Sequence, residues 1–424
     1  MLKKIIKSEA LGEKYTYAKL ESGTQVFICE KAEFSSVYTV FGTKYGSIDT
    51  RFSIDNGEPL EVPAGIAHFL EHKLFENEDG DAFSKYSKTG AMANAYTSFD
   101  RTCYLFSCCD RFDENLDILL DFVSSPYFTK QTVEKEQGII GQEIKMYDDS
   151  PAWRVLFDLL KIMYHSHPVR IDIAGTVESI SEITDKLLFD CYNAFYNPSN
   201  MFICIAGDVD ADAVLERVSA TIKADKGVKI ERLAPAEPEE VVSNYCESTM
   251  AVSMPLFNIG IKEPVKTRQV RQFDIIVRDI LLECVVGKSS DLYNSLLEKK
   301  LINNEFSTEY FYGNGYSALL FCGESSQPHR VLELITSEIE RLQIEGVDPE
   351  LFEGARRKLY GQQIRQWNNP EDIVSVMVDS AVIGGSVFES VELFEQVTRQ
   401  DINDCLKGIK KENISMSVIK PLNK

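Results

Sequence analysis

The sequence predicts an α+β protein of two related domains, each a sheet with helices packed on it, and three observations carry that prediction. Its 424 residues exceed what one compact core usually holds at about one to two hundred residues per domain. Short apolar or alternating runs of strand type are interleaved with segments whose apolar residues recur at helical spacing. The order of these segments then repeats loosely after a stretch, residues 227–244, that holds Pro235, Pro238 and the glutamates 231, 237, 239 and 240 with little apolar period. The expected division is therefore a domain over 1–226, an exposed linker over 227–244 and a second, related domain over 245–424.

The first elements are strands. TYAKLESGTQVFICEK reads as two strands joined around Ser22 and Gly23, and SSVYTVFGTKYGS is a third, rich in β-branched and aromatic residues. A loop marked by Gly and Pro, DNGEPLEVPAG, precedes IAHFLEHKLFE, where Ile66, Phe69, Leu70 and Leu74 fall at helical spacing. Strands follow around NAYTSF and TCYLFSCC, then a helix, DENLDILLDFVSSP, closed by Pro126. TVEKEQGIIGQEIKMYDD is a long helix ending near Ser150 and Pro151. More helix runs to about Tyr196, broken by the loop HSHPVRIDIAGT, before the apolar strand NMFICIAG and the helix ADAVLERVSATI. In the second half MAVSMPLFNIGIK corresponds to SVYTVFGTKYGS and precedes the helix FDIIVRDILLECVVG. The strand-glycine-helix run ALLFCGESSQPHRVLELITSEI echoes MFICIAGDVDADAVLERVSATI.

Composition excludes several functions. Against 45 Lys and Arg stand 66 Asp and Glu, a formal charge of −21 that repels phosphate backbones and anionic membranes, so neither nucleic acid nor a membrane is an expected partner. Hydrophobic residues at 44% and aromatics at 10% are those of a folded globular protein. No run approaches the roughly 18 apolar residues that span a bilayer. Lys7, Glu9, Glu13 and Lys14 interrupt any signal-peptide core near the N-terminus. Ten cysteines without a CxxC pair, many in apolar surroundings, read as reduced core thiols of a cytoplasmic protein.

Two of the five histidines, His68 and His72, lie four apart on the first helix and share a face. Zinc accepts imidazole nitrogens at about 2.0–2.1 Å, and such a pair can deliver two of them to one ion. Glu71 lies about 60° around the helix from His68 and about 100° from His72, near a metal yet free not to ligate it, which suits a general base. A bare HxxEH string is equally an exposed or hydrogen-bonded pair without metal. A catalytic site needs a third ligand. Glu136 and Glu143, two turns apart on the long helix, form a stripe that could face the histidines, with Ile139, Ile140, Ile144 and Met146 packing around it; a solvated face is the plain alternative.

The order HFLEH followed by a helix bearing E-x6-E resembles the inverted zinc motif of the pitrilysin, insulinase and mitochondrial processing peptidase family, the inverzincins. Residues 90–104, GAMANAYTSFDRTCY, resemble that family's strand along bound peptide. SHPVRIDIAGTVESI, FYNPSNMFICIAGDVD and GKSSDLYNSLLEKKLI resemble further stretches, so the resemblance spans nearly the whole chain. It implies two related domains with mostly antiparallel sheets and one zinc ion per chain held by His68, His72 and Glu143. It further implies that Glu71 is the catalytic base for a zinc-activated water, that Glu136 assists, and that Asn94 and Ala95 contact the peptide backbone. The implied activity is zinc-dependent endopeptidase action on short or unstructured peptides.

The alternative is a non-catalytic peptide-binding or assembly subunit, which would be expected to lack a ligand or the base. Family members that act alone or as homodimers carry an arginine and a tyrosine in the second domain that reach the scissile region. Here Tyr310, Tyr312 and Tyr316 are present, but Lys299 and Lys300 stand where the arginine is expected. The length is half that of the large single-chain members. A dimer with a homologous two-domain chain is implied, a heterodimer ahead of a homodimer. Elsewhere, His165 and His167 beside Pro168 read as structural, His329 as surface, Trp153 and Trp367 as core or interface, and the acidic residues after the motif helix as solvated loop. Gly313 to Gly315 lacks the rest of a nucleotide fingerprint.

Overall fold

The computed structural model describes residues 1–78, 80–223, 227–264 and 270–422; Asp79 of the acidic run, residues 224–226 at the expected domain end and residues 423–424 lie outside them. The chain forms two compact units. One comprises Met1–Ile144, Asp172–Leu233 and Arg365–Phe388, the other Lys145–Ile171, Ala234–Ile364 and Glu389–Lys424.

The first unit is built on seven strands: β1 (Leu2–Ser8), β2 (Glu13–Lys19), β3 (Gln25–Glu30), β4 (Val37–Thr43), β5 (Met92–Thr97), β6 (Thr102–Cys108) and β7 (Met201–Gly207). Their order across the sheet is β1-β2-β3-β7-β4-β6-β5, and only β3 and β7 pair in parallel. β7, MFICIAG, is buried at every position because both faces of the sheet are covered. Three helices bear on the residues singled out in the sequence. α1 (Ile66–Leu74) packs on β5 and β6, α2 (Phe112–Ser124) on β6 and β4, and α3 (Lys130–Asp148) supplies the two glutamates. Phe75, Tyr104 and Phe122 interlock between these helices and the sheet, with ring centroids 5.0–5.8 Å apart.

The second unit repeats the core of that sheet with β8 (Tyr245–Met250), β9 (Leu256–Lys262), β10 (Ser307–Gly313), β11 (Tyr316–Glu324) and β12 (Ile414–Pro421). The order is β8-β12-β9-β11-β10, again with one parallel pair, β8 with β12. The mostly antiparallel α+β architecture with two related sheets is thus present. One correspondence differs from expectation. β11 lies antiparallel between β9 and β10, as β6 lies between β4 and β5, so the run 318–339 is the counterpart of β6 and α2, and β12 is the counterpart of β7. A strand turning through a polar loop into an amphipathic helix has the same local pattern at either place in the sheet.

The continuous domain boundaries also need correction, because each unit takes a helix from the other half of the chain. α4 (Pro151–Met163) packs on β9 and β12, and Gly260 admits it: a Cβ there would lie 2.4 Å from Met163 Sδ. α5 (Gln272–Val286) packs near β10. α6 (Pro370–Ile383) covers β7 and β4 of the first sheet. Its Ile373, Val374, Met377, Val378 and Ala381, together with Trp367, form one core with Phe27, Val40, Phe202 and Cys204. A sheet with two apolar faces must be covered twice, and helical pattern in the sequence does not say which sheet a helix will cover. The expected exposed linker is anchored as well. Ile230–Arg232 pairs with Arg51–Ile54 in the first unit, and in the second the Glu237 side chain is buried against Lys262 Nζ at 2.7 Å.

Candidate metal centre and active site

α1 begins at a constrained point. Gly65, its N-cap, has φ 90°, and a Cβ there would lie 2.3 Å from Ala174 O, so only glycine fits both the left-handed backbone and the close approach. From that start the helix is buried nearly all round, including the polar residues His68, Glu71 and Lys73. Lys73 is paired with Glu76. A helix that buries ionisable groups on a face directed at another helix marks a site, since each such group needs a partner.

α3 supplies those partners. Glu143 Oε2 is 3.3 Å from His72 Nε2, and its Oε1 is 3.7 Å from His68 Nε2. His72 Nδ1–H donates to Glu136 Oε1 at 3.1 Å. Along α3, Val133, Ile140 and Ile144 are buried, whereas Ile139 is half exposed and Met146 exposed; the expected packing role fails for those two. Ile139 instead lines a cavity of about 500 Å³ with Glu71, His72, Phe75, Phe83, Asn94, Ala95 and Glu136.

One ligand atom each from His68, His72 and Glu143 lies within 4.8 Å of the other two. In a tetrahedral zinc site with bonds of about 2.0–2.1 Å, ligand atoms stand roughly 3.3–3.4 Å apart. The 3.3 Å between Glu143 Oε2 and His72 Nε2 is that of two ligands on one such ion, while the 3.7 Å contact to His68 Nε2 is made by the other carboxylate oxygen, Oε1. His68 points the same way: its Nδ1 is buried without a hydrogen-bond partner, and its Nε2 is too far from Glu143 for a hydrogen bond. The Nε2 lone pair is thus not engaged by Glu143 and can be given to a metal, with the ring proton on Nδ1. The donor set, two imidazoles and a carboxylate, suits zinc with one position left open for water or substrate.

Electrostatics separate the two histidines. Burial, aided by His72, pulls His68 down to about 4, so its ring is neutral and ready to ligate. Burial also works against charge on His72, but its hydrogen bonds to Glu136 and Glu143 outweigh it and raise the ring to about 10. Burial raises the Glu71 carboxyl above the usual range, opposed by a hydrogen bond from Thr97 Oγ1 to Glu71 Oε2 at 2.6 Å and by nearby His72. A carboxylate with raised proton affinity is suited to taking and returning a proton.

Asn94 and Ala95 lie on β5, which pairs with β6 on one side only and forms the edge of the sheet. Ala95 N–H is not used in that ladder; it donates to Asn94 Oδ1 at 2.9 Å. An extended peptide could add there through main-chain hydrogen bonds. His68, Glu71, His72, Asn94, Ala95, Glu136 and Glu143 thus lie about one place in the first unit. Thr97, the buried Lys73 and the apolar wall of Phe83 and Ile139 were not anticipated; a threonine in a strand and a half-exposed isoleucine carry no distinguishing signal.

Outside this centre, His167, Tyr310 and Tyr316 have structural roles. His167 is buried, accepts from Val169 N at Nδ1 and donates from Nε2 to Asn314 O at 2.9 Å, while His165 and His329 are exposed. Tyr310 donates to Glu263 at 3.0 Å, and Tyr316 packs on His167. None of the ten cysteines is in a disulfide. Among the described residues no helix is long and apolar enough to cross a membrane.

Residues 51–177, which contain every residue of the centre, match the model of insulinase, peptidase family M16, and residues 182–359 match that of the peptidase M16 inactive domain. A Bacillus subtilis protein described as an uncharacterized zinc protease, YmfH, is 44% identical over 416 residues, covering 95% of this chain and 96% of that one. The chain belongs to the M16 family. An M16-like peptidase from Alicyclobacillus acidocaldarius superposes with a TM-score of 0.93 at 34% identity, covering 98% of this chain and 100% of that one. Pitrilysin shares the fold with a TM-score of 0.77 at 17% identity; the match takes in 100% of this chain and 47% of pitrilysin. This M16 chain is therefore a small two-domain form resembling zinc proteases, and the inactive-domain match falls wholly outside its metal-capable residues.

Proposed function

We propose that the chain is a zinc-dependent endopeptidase acting on short or unstructured peptides, with His68, His72 and Glu143 holding one zinc ion and Glu71 as the general base. The observation that carries this is the convergence of those three donors beside a buried glutamate at an open sheet edge. When bound, zinc polarises the scissile carbonyl and acidifies water. The protein does the rest. Glu136 fixes the His72 ring through Nδ1, leaving Nε2 for the metal. The β5 edge at Asn94 and Ala95 holds the peptide extended, which allows many sequences to bind. Glu71 takes a proton from the attacking water as the new C–O bond forms, then delivers it to the departing amine as the C–N bond breaks.

A second polypeptide, a homologous two-domain chain, pairs with this one in the proposal, and the two enclose the peptide in a shared chamber. This chain matches 47% of pitrilysin and 48% of the Escherichia coli protease PqqL, so two such chains approximate one long member. Ten cysteines outside any disulfide suit a reducing cytoplasm. The non-catalytic subunit alternative is weakened because no donor and no base is missing. The test is cleavage of a mixed peptide library by the purified chain, alone and with a co-expressed homologue. Cleavage lost in chelator and restored by zinc is expected; chelator-resistant cleavage, or none with either preparation, would overturn the proposal.

A further inference from the structure

We infer that Thr97 is a positioning residue that ties down one oxygen of Glu71 and thereby decides which oxygen carries the proton. The inference rests on the hydrolytic function proposed above and refines it. Thr97 ends β5, two residues beyond Ala95, so the strand offered to the peptide also reaches the base. Its Oγ1 lies 2.6 Å from Glu71 Oε2 and 3.4 Å from Oγ1 of Thr102, its partner across the ladder.

The direction of these bonds follows from proton counting. Thr102 is fully buried, and its hydroxyl donates to the Tyr45 carbonyl at 2.9 Å, which can only accept. The Thr102 proton is thereby committed, and its oxygen can offer Thr97 only a lone pair. Thr97 has one proton and two acceptors, and the carboxylate is both nearer and charged. A separation of 2.6 Å is that of a charge-assisted hydroxyl–carboxylate hydrogen bond.

Two consequences follow for Glu71. Oε2 is held toward β5, in agreement with a metal-capable group that contains His68, His72 and Glu143 but not the glutamate between them on the helix. Oε2 also cannot take a proton unless Thr97 turns its own toward Thr102, at the longer 3.4 Å. The proton leaving water therefore forms its new O–H bond at Oε1, and that same bond breaks when the amine nitrogen is protonated. Thr97 keeps its proton throughout, and Glu71 ends as it began.

The test compares Thr97→Val, which keeps shape and loses the hydroxyl, with Thr97→Ser, which keeps the hydroxyl and loses the methyl. With zinc-loaded protein, T97V should lower kcat ~10–100-fold with KM within about twofold, because the base is misaimed while peptide binding is unaltered. Zinc per chain should stay unchanged, and T97S should restore kcat to within about threefold. A readout independent of activity is a thermal-unfolding cycle on metal-free protein with T97V, Glu71→Ala and the double variant. Non-additive melting temperatures are expected for a direct bond. T97V with full kcat, T97S as impaired as T97V, or strictly additive melting shifts would each overturn the inference. A wild-type chain that does not cleave overturns the hydrolytic function itself, while the cycle still decides whether Thr97 holds Glu71.

Discussion

Loading the metal centre should expel a proton, chiefly from His72. In the metal-free protein its hydrogen bonds to Glu136 and Glu143 raise the ring to about 10 against the opposing effect of burial, so it is an imidazolium at neutral pH, whereas a metal needs the neutral ring. The gap of about three pH units between 10 and 7 corresponds to about 4 kcal/mol of competition. Apparent zinc affinity should therefore tighten about tenfold per pH unit between pH 7 and 9. His68 adds no slope there, since burial already keeps it neutral down to about 4. The sign for the metal-free fold is the converse. A ring raised above its unfolded value of about 6.5 contributes stability that is fully present below that pH and lost as pH rises through about 10. Titration calorimetry at pH 7.5 in two buffers of different ionisation enthalpy should return about one proton released per zinc. The melting temperature of the metal-free protein should fall from pH 7 to 10. A pH-independent zinc affinity with no proton release would refute the charge assigned to His72.

Three further changes probe the parts separately. Glu136→Gln removes the carboxylate on His72 Nδ1 and should weaken zinc binding about 10–100-fold in a chelator competition while keeping one zinc per chain; an unchanged affinity would show that Glu136 does not support the ring. Ala95→Pro removes the unladdered edge N–H at a position where an edge strand tolerates proline, and should raise peptide KM about tenfold with little change in melting temperature; an unchanged KM would place the peptide elsewhere. In the second unit, Glu237→Gln leaves the buried Lys262 ammonium without its countercharge and should lower stability by about 3 kcal/mol in denaturant unfolding. Burial opposes charge on Glu237, but Lys262 and the N–H groups of His165, Ser166 and His167 hold its carboxyl below the usual range. Its contribution is therefore present above about pH 4.3 and lost as pH falls through the lower folded value, so the variant and parent should converge in acid.

What the sequence disclosed follows the range of each physical signal. The spacing of Ile66, Phe69, Leu70 and Leu74 fixes α1, and with it the shared face of His68 and His72, because helical geometry is local. The stripe of Glu136 and Glu143 is equally local, and its meeting with α1 was accessible through the resemblance of the ordered motif. Long-range pairings were not. LKKIIKS forms the edge strand β1 with Ile5 exposed, a pattern too polar to read as a strand, and ISMSVIKP is a central strand whose alternating serines disguise its burial. The exchange of α4 and α6 between units is invisible to periodicity, since an apolar helix face is the same whichever sheet it covers. Thr97 is legible only in three dimensions: its role depends on the Thr102 hydroxyl donating its hydrogen bond to the Tyr45 carbonyl, a relation spread across three segments.

The most direct test of the hydrolytic function measures zinc content and peptide cleavage on the same preparations of the parent and Glu71→Gln chains, each with whatever partner the parent needs for activity. The neutral side chain retains the Thr97 contact geometry but cannot accept a proton from water. Equal zinc, close to one per chain, with cleavage lost at least a hundredfold in the variant is the predicted result. Cleavage by the variant at the parent's rate, with zinc retained, would contradict it.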